Sequence, residues 1–371
     1  MTTIAQPRSR PLSENRPRGS VRMLGPNWYA AVMGTAIVAN AGAALPVHFW
    51  GLRAAYQVVW ALGALLLVVL FVGRGAHWAR HADQARKHLL DPAVAPFYGC
   101  LSMAMLAVGA GSLSVGSDVI GVSAGVAVDT VLWIAGTAVG VVAASAIPYL
   151  MVTRHKVDAG TASPVWILPV VAPMVSAACG PALIAHLPSG QWRETLLLGC
   201  YAMFGLSLLA TFIMLPVIFA RLVHQGPLPL ALTPTMFLVL GPLGQSTTAV
   251  NNLADAAHGA IDGTYAHAMM PFAVLYGVPV MGFALLWLAI ATATVIRAFR
   301  NGMKFSMTWW GFTFPIGTCV TGAAGLAKHT GLHFYTWLAV ALFIVLVVAW
   351  LVAGVRTLRG VLSGALLAVP R

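Results

Sequence analysis

Charge is what this sequence lacks. Only 8% of its 371 residues are Asp, Glu, Lys or Arg, while 59% are apolar. A soluble globular domain carries roughly a quarter charged residues. So few charges cannot solvate a soluble surface of this size, which excludes a soluble enzyme, a disordered chain and a secreted disulfide scaffold. Cysteine is scarce too. Cys100, Cys179, Cys200 and Cys319 all lie in apolar runs and form no C-x-x-C pair. They read as small buried apolar side chains rather than disulfide or structural-zinc ligands. No Walker sequence is present, which argues against ATP-driven transport by this chain. The scarcest charge is acidic, nine Asp and Glu against 21 Lys and Arg, a net +12. Such a balance points to nucleic acid only as a basic patch on a soluble fold, so no nucleic-acid partner is expected.

What the sequence does have is long apolar runs, and it reads as an all-α integral membrane protein. Ten runs approach the roughly 20 residues that a helix needs to cross the hydrocarbon core. They cover residues 26–45, 51–73, 97–116, 125–151, 164–186, 195–220, 233–253, 271–296, 308–327 and 334–355. Residues 1–24 read as a disordered basic tail, 25–356 as one membrane domain and 357–371 as a short second tail. The basic start could also begin a signal peptide cleaved near Ala43 or Ala44. Against that, the first run is long and carries Gly34, Thr35 and Asn40.

The basic residues set the orientation. With the N-terminus in the cytoplasm, 18 of the 21 fall on the cytoplasmic side, leaving Arg53, Arg193 and Lys328 outside. That is the positive-inside pattern, with both termini cytoplasmic in a cell (plasma or inner) membrane and an even number of crossings. Trp28, Trp50, Trp166, Trp192, Trp309 and Trp310 stand at run ends, as interfacial aromatic belts do.

The runs are of two kinds. Gly and Pro gather in the odd-numbered ones: Pro164, Pro169, Pro173, Gly180 and Pro181 in the fifth, Pro234, Gly241, Pro242 and Gly244 in the seventh, Gly311, Pro315, Gly317, Gly322 and Gly325 in the ninth. Proline frees backbone carbonyls that lipid cannot satisfy, and glycine permits close backbone approach. Both place the odd runs inside. Their small polar side chains point to the same ring: Asn40, Ser102, Ser112, Ser176, Gln245, Ser246, Thr247, Thr248, Thr313, Thr318 and Thr321. Any one of these also fits a hydroxyl bonded to its own backbone. Gly34, Thr35, Asn40, Ser102, Pro173, Gln245, Ser246 and Thr313 are the candidate path-lining residues.

Formal charge is nearly absent from the inner runs. Asp129, in the fourth run, is the one intramembrane acid, a functional candidate for proton coupling by default. It also fits a carboxylate solvated near the outer interface. His77 and His81 are spaced i, i+4, with His88 and Asp91 beyond. Two histidines on one helical face can bind zinc, but Arg74, Arg80, Arg86 and Lys87 crowd the stretch. An amphipathic cytoplasmic connector is the better reading. No convergent acid, base or nucleophile site is visible, so neither an enzyme nor a bound cofactor or metal is expected.

Three stretches carry a family resemblance. Residues 25–39 read Gly-Pro-Asn-Trp-Tyr-Ala-Ala-Val-Met-Gly-Thr-Ala-Ile-Val-Ala. Residues 241–245 read Gly-Pro-Leu-Gly-Gln, and 305–315 read Phe-Ser-Met-Thr-Trp-Trp-Gly-Phe-Thr-Phe-Pro. The chain resembles the tellurite-resistance/dicarboxylate transporter family from about Gly25 to Val355. The resemblance implies ten helices as five hairpins around a central pore, and a homotrimer in membrane lipid with one pore per subunit. It also implies a pore gate at Phe314, beside Pro315, with Phe312 as the competing position. The implied function is transport of small anions: a C4-dicarboxylate such as malate, sulfite, or an inorganic anion. An uncharged pore favours anions if broken helices aim their positive N-terminal ends at it. A proton-coupled dicarboxylate symporter, using Asp129 or a loop histidine, is the alternative.

Overall fold

A computed structural model describes residue 22 and residues 24–47 and 51–367. Most of the basic tail, Trp50 and Arg371 lie outside the described residues. Among the described residues every regular element is helical.

Five helices are short and sit inside: α1 (Tyr29–Ala44), α4 (Tyr98–Gly111), α7 (Ile167–Cys179), α9 (Leu240–Ala257) and α11 (Phe314–Thr330). Five are long and continuous: α2 (Leu52–Arg80), α6 (Val122–Thr153), α8 (Gln191–Gln225), α10 (Gly263–Arg300) and α12 (His333–Leu362). Two short helices, α3 (Ala82–Leu90) and α5 (Ser117–Ile120), complete the set. Each inner helix packs against the long helix that returns from it: α1 on α2, α4 on α6, α7 on α8, α9 on α10, α11 on α12. The inner helices also pack in chain order, α1 on α4, α4 on α7, α7 on α9, α9 on α11, and α11 closes back on α1. The result is a ring of five inside a ring of five.

Burial follows composition. The apolar windows of segments 95–120 and 164–186 are 78% and 89% buried, against 22% to 28% for the long helices. A helix that shows Leu, Val and Phe around its exposed face has no aqueous surface to match, which fits lipid as its solvent. Among the described residues, seven segments are long and apolar enough to cross a bilayer. The other three ring members, α1, α9 and α11, are continuous for only 16, 18 and 17 residues. Each is extended at its start by a 3₁₀ segment: Pro26–Trp28, Leu230–Val239 and Met307–Phe312.

All five inner helices begin this way, α4 behind Ala95–Phe97 and α7 behind Pro164–Trp166. Four of the five starts contain a proline (Pro26, Pro96, Pro164, Pro234), followed within three residues by Trp28, Phe97, Trp166 or Phe237. Proline at a helix start loses nothing, because its missing N–H would be unpaired there anyway. The repeated Pro–aromatic start is the sequence signature of the inner ring.

The ring closes tightly only because glycine sits at its seams. A Cβ on Gly244 would lie 2.5 Å from the Cys319 backbone nitrogen, and one on Gly99 would strike the Leu168 carbonyl. Two tryptophans depart from the expected aromatic belt, while Trp192 is exposed and Trp28 and Trp166 are half-buried. Trp309 and Trp310 are buried. Trp310 Nε1 donates to Thr357 Oγ1 at 3.0 Å, and Trp309 meets Phe299, Phe305 and Phe312 edge-on. The 3₁₀ turn that carries them rolls both rings inward.

Candidate functional site

Two cavities lie along the ring axis. The wider holds about 570 Å³ and is lined by the C-terminal halves of the inner helices. Ile37, Asn40 and Ala44 come from α1, Ala110 from α4, Ala178 and Cys179 from α7, Gln245, Thr248, Asn252 and Asp255 from α9, and Thr321, Ala324 and Lys328 from α11. The other holds only about 10 Å³ and is lined by the opposite ends: Ala30, Met33, Phe97, Cys100, Leu168, Thr235, Leu238, Met307, Thr308 and Gly311. The five inner helices therefore run parallel, starts at the sealed chamber and ends at the open vestibule.

Between them lies a barrier. On α1, Met33 lines the chamber and Ile37 the vestibule, four residues or about 6 Å apart along a helix. Phe314, 3% exposed, opens α11 between Gly311 of the chamber and Thr321 of the vestibule. Phe312 faces outward. It meets Phe237 edge-on at 5.0 Å and lines an outward cleft between α10 and α12 with Val295, Phe299, Ile344 and Val348. Gly241 lies in the barrier stretch of α9 and is buried, yet a Cβ there would meet nothing within 4 Å.

The vestibule wall is largely apolar, with amides and hydroxyls set into it and two charged side chains, Asp255 and Lys328. Asn40 Nδ2 donates to the Ala107 carbonyl at 2.9 Å and Asn252 Nδ2 to the Ala178 carbonyl at 2.8 Å. Thr248 and Thr321 share a hydroxyl contact of 2.7 Å. Gln245 is 4% exposed and its Oε1 has no partner among the described residues. In α4 the α-helical pattern gives way to a π turn, Ser112–Gly116, which carries Ser114 to the vestibule wall. Such turns interrupt helices most often at functional sites.

Of the candidate path-lining residues, Asn40 and Gln245 line the vestibule, as do Thr248 and Thr321 from the wider set of small polar side chains. Others face their neighbours. Thr35 donates to the Ala31 carbonyl and accepts from Trp350 Nε1 of α12 at 3.1 Å. Ser102 donates to the Gly136 carbonyl of α6, and Ser246 and Thr313 donate to carbonyls of their own chain segments, Leu243 and Trp310. Gly34 admits the Thr313 hydroxyl against its backbone. Pro173 is buried within α7, and Pro315 in the first turn of α11. Asn252, Thr248, Asp255, Cys179 and Lys328 complete the wall. On α9 the wall residues 245, 248, 252 and 255 fall at helical spacing, a stripe readable from sequence.

Asp129 is not solvated. It is fully buried, and neither carboxylate oxygen has a hydrogen-bond partner among the described residues. It stands where α6 meets α4, with Oδ1 2.7 Å from the position a Gly109 Cβ would take. Its place on an outer-ring helix is as expected, but it faces the inner ring rather than the interface. In the connector, His77 and His88 stack at 5.4 Å and 4°. Burial, and then the Arg74 guanidinium, hold the His88 imidazole below the usual histidine range. Among the described residues no three His, Cys, Asp or Glu side chains gather as metal ligands.

The sequence matches the SLAC1 family, described as voltage-dependent anion channel, over residues 23–358. The chain belongs to this family. Similar proteins include an uncharacterized transporter of Methanocaldococcus jannaschii, 25% identical over 341 residues, covering 91% of this chain and 94% of that protein. The sulfite efflux pump SSU1 of Trichophyton rubrum is 27% identical over 334 residues, covering 88% and 87%. The malic acid transport protein of Schizosaccharomyces pombe is 25% identical over 177 residues, covering 45% and 40%. The SLAC1-family chain is thus a multi-pass membrane protein of the anion-transport class, not one of an enzyme family.

Proposed function

We propose that small anions cross the membrane along the axis of the inner ring, through ten crossings arranged as five hairpins, and that Phe314 gates the path. The reading is supported by two unequal cavities among the inner helices, about 570 Å³ and about 10 Å³, and by the place of Phe314 in the chain between Gly311 at one and Thr321 at the other. An aromatic ring there closes the path by bulk and by dewetting. The chamber lies among the starts of all five inner helices, whose positive dipole ends favour an anion without any formal charge in the bilayer. The sorted basic residues support a cytoplasmic chamber end with both termini in the cytoplasm, and the family resemblance implies a homotrimer with one path per subunit. Sulfite and malate are the named substrates of two relatives, and chloride and nitrate complete the candidate set.

The test is flux into proteoliposomes of the purified chain across chloride, nitrate, sulfite and malate. Uptake of at least one, driven by its own gradient, is expected. No flux of any of the four in folded protein contradicts the reading.

Asp129 favours a second reading, a proton-coupled dicarboxylate carrier. A fully buried carboxyl with no partner inside a membrane helix marks a proton path by default. Malate uptake with and without an imposed pH gradient, in wild type and Asp129→Asn, separates the two. A gradient-dependent rate lost in the variant supports coupling; equal rates remove it.

A further inference from the structure

The vestibule opens at the wrong end of five helices for an anion. Every inner helix presents its C-terminal carbonyls there, the negative end of its dipole. Three basic residues sit at this side, Arg53, Arg193 and Lys328, and they are not equivalent. Arg53 is committed to Asp118 at 2.7 Å and to the Ser114 carbonyl at 2.8 Å. Arg193 caps spent helix ends, donating to the carbonyls of Leu187, Ala185 and Gly259. Lys328, in the last turn of α11, lines the vestibule itself, and among the described residues it and Asp255 are the only charged side chains that do.

Resting on the reading of the axial cavity as the anion path, we propose that Lys328 is the anion-capture group of the vestibule and that Asp255 sets how weakly it holds. The Lys328 side chain is 64% exposed, and among the described residues its ammonium has one partner, Asp255 Oδ1 at 2.8 Å. An ammonium has three N–H donors, so two remain for an incoming oxyanion or halide. The same Oδ1 accepts from His329 Nε2 at 3.0 Å, and the His329 side chain is 2% exposed. The buried imidazole fixes the carboxylate, so Asp255 stays in place while Lys328 swings to an anion. A lone lysine would retain a dianion. With a fixed carboxylate beside it, the anion is held weakly enough to move on, as conduction requires. A dianion gains more from the ammonium than a monoanion does.

The two partners therefore shift binding in opposite directions, which a merely structural ion pair would not do. The test is flux by the full chain in liposomes at low ionic strength, with sulfite or malate against chloride or nitrate, supplied on each side in turn. Lys328→Gln should raise the half-saturating concentration about three- to tenfold from one side only, more for the dianion, and high salt should shrink the effect. Asp255→Asn should lower the half-saturating concentration and the maximal rate. Lys328→Arg should restore wild-type values. Wild-type transport with half-saturation unchanged in both Lys328→Gln and Asp255→Asn overturns this assignment alone. A wild-type chain that moves no anion overturns the transport reading and the assignment with it.

Discussion

The two ends of the axis are made from the same five helices and could hardly differ more. At the vestibule, helix ends carry Asn, Gln, Thr, Asp and Lys and enclose about 570 Å³. At the chamber, helix starts carry Met, Leu, Phe and Cys with Thr235 and Thr308, and leave about 10 Å³. The difference teaches where each problem is solved. Helix starts supply positive dipole ends, so that end needs no charged side chain and can be closed by apolar packing. On the proposed reading, helix ends disfavour anions, and the wider end offsets this with amides, hydroxyls and Lys328.

The largest effect expected from this contrast concerns the barrier that divides the two ends. Gly244 and Gly241 are three residues apart on α9 but face unlike surroundings. Gly244→Val must displace the α11 backbone at Cys319 and should cost at least the 1–3 kcal/mol of an overpacked core, seen as loss of monodisperse protein on size-exclusion chromatography. Gly241→Val points into open space and should leave folded protein with reduced flux. Equal yields for both variants would break the picture of a void beside a tight seam.

Thiol access tests the two ends more gently. Cys179 lines the vestibule and is half-buried, while Cys100 lines the sealed chamber and is fully buried. A membrane-impermeant thiol reagent should label Cys179, read by mass spectrometry, and leave Cys100 unlabelled. Labelling of Cys100 at a comparable rate would mean that the chamber is open.

The smallest effect is expected from a charge off the axis. Asp118 pairs with Arg53 and Gln57 at an exposed site, where ion pairs contribute little. Asp118→Asn should leave half-saturation for any transported anion within about twofold of wild type. A shift as large as that of Asp255→Asn would show that the surface field, rather than the vestibule lining, governs capture.

The division into inner and outer rings was legible from where Gly and Pro are densest, because neighbouring helices can meet the backbone groups they free, although Pro148, Pro216, Pro271 and Pro279 lie inside long outer helices. Which side chains face the axis was less so. Inner helices are apolar and buried all round, so no periodicity marks one face. Thr35 and Asn40 are five residues apart, about 140° around a helix, which sends Asn40 to the vestibule and Thr35 to Trp350 of α12. Residues 245, 248, 252 and 255 did carry a stripe, but adjacent Ser246 and Thr247 blur it by bonding to their own helix. The burial of Asp129 was hidden because the long helices are mostly exposed, and nothing local to residue 129 reveals the gap that Gly109 leaves opposite it.

The central claim, that Phe314 closes the axis between chamber and vestibule, is tested most directly by anion current through Phe314→Ala in a planar bilayer. Removing the ring should raise the current about tenfold or more, a barrier lower by about 1.4 kcal/mol, while Phe312→Ala in the outward cleft should leave it near wild type. Unchanged current in well-folded Phe314→Ala, or a larger rise in Phe312→Ala, would contradict the account.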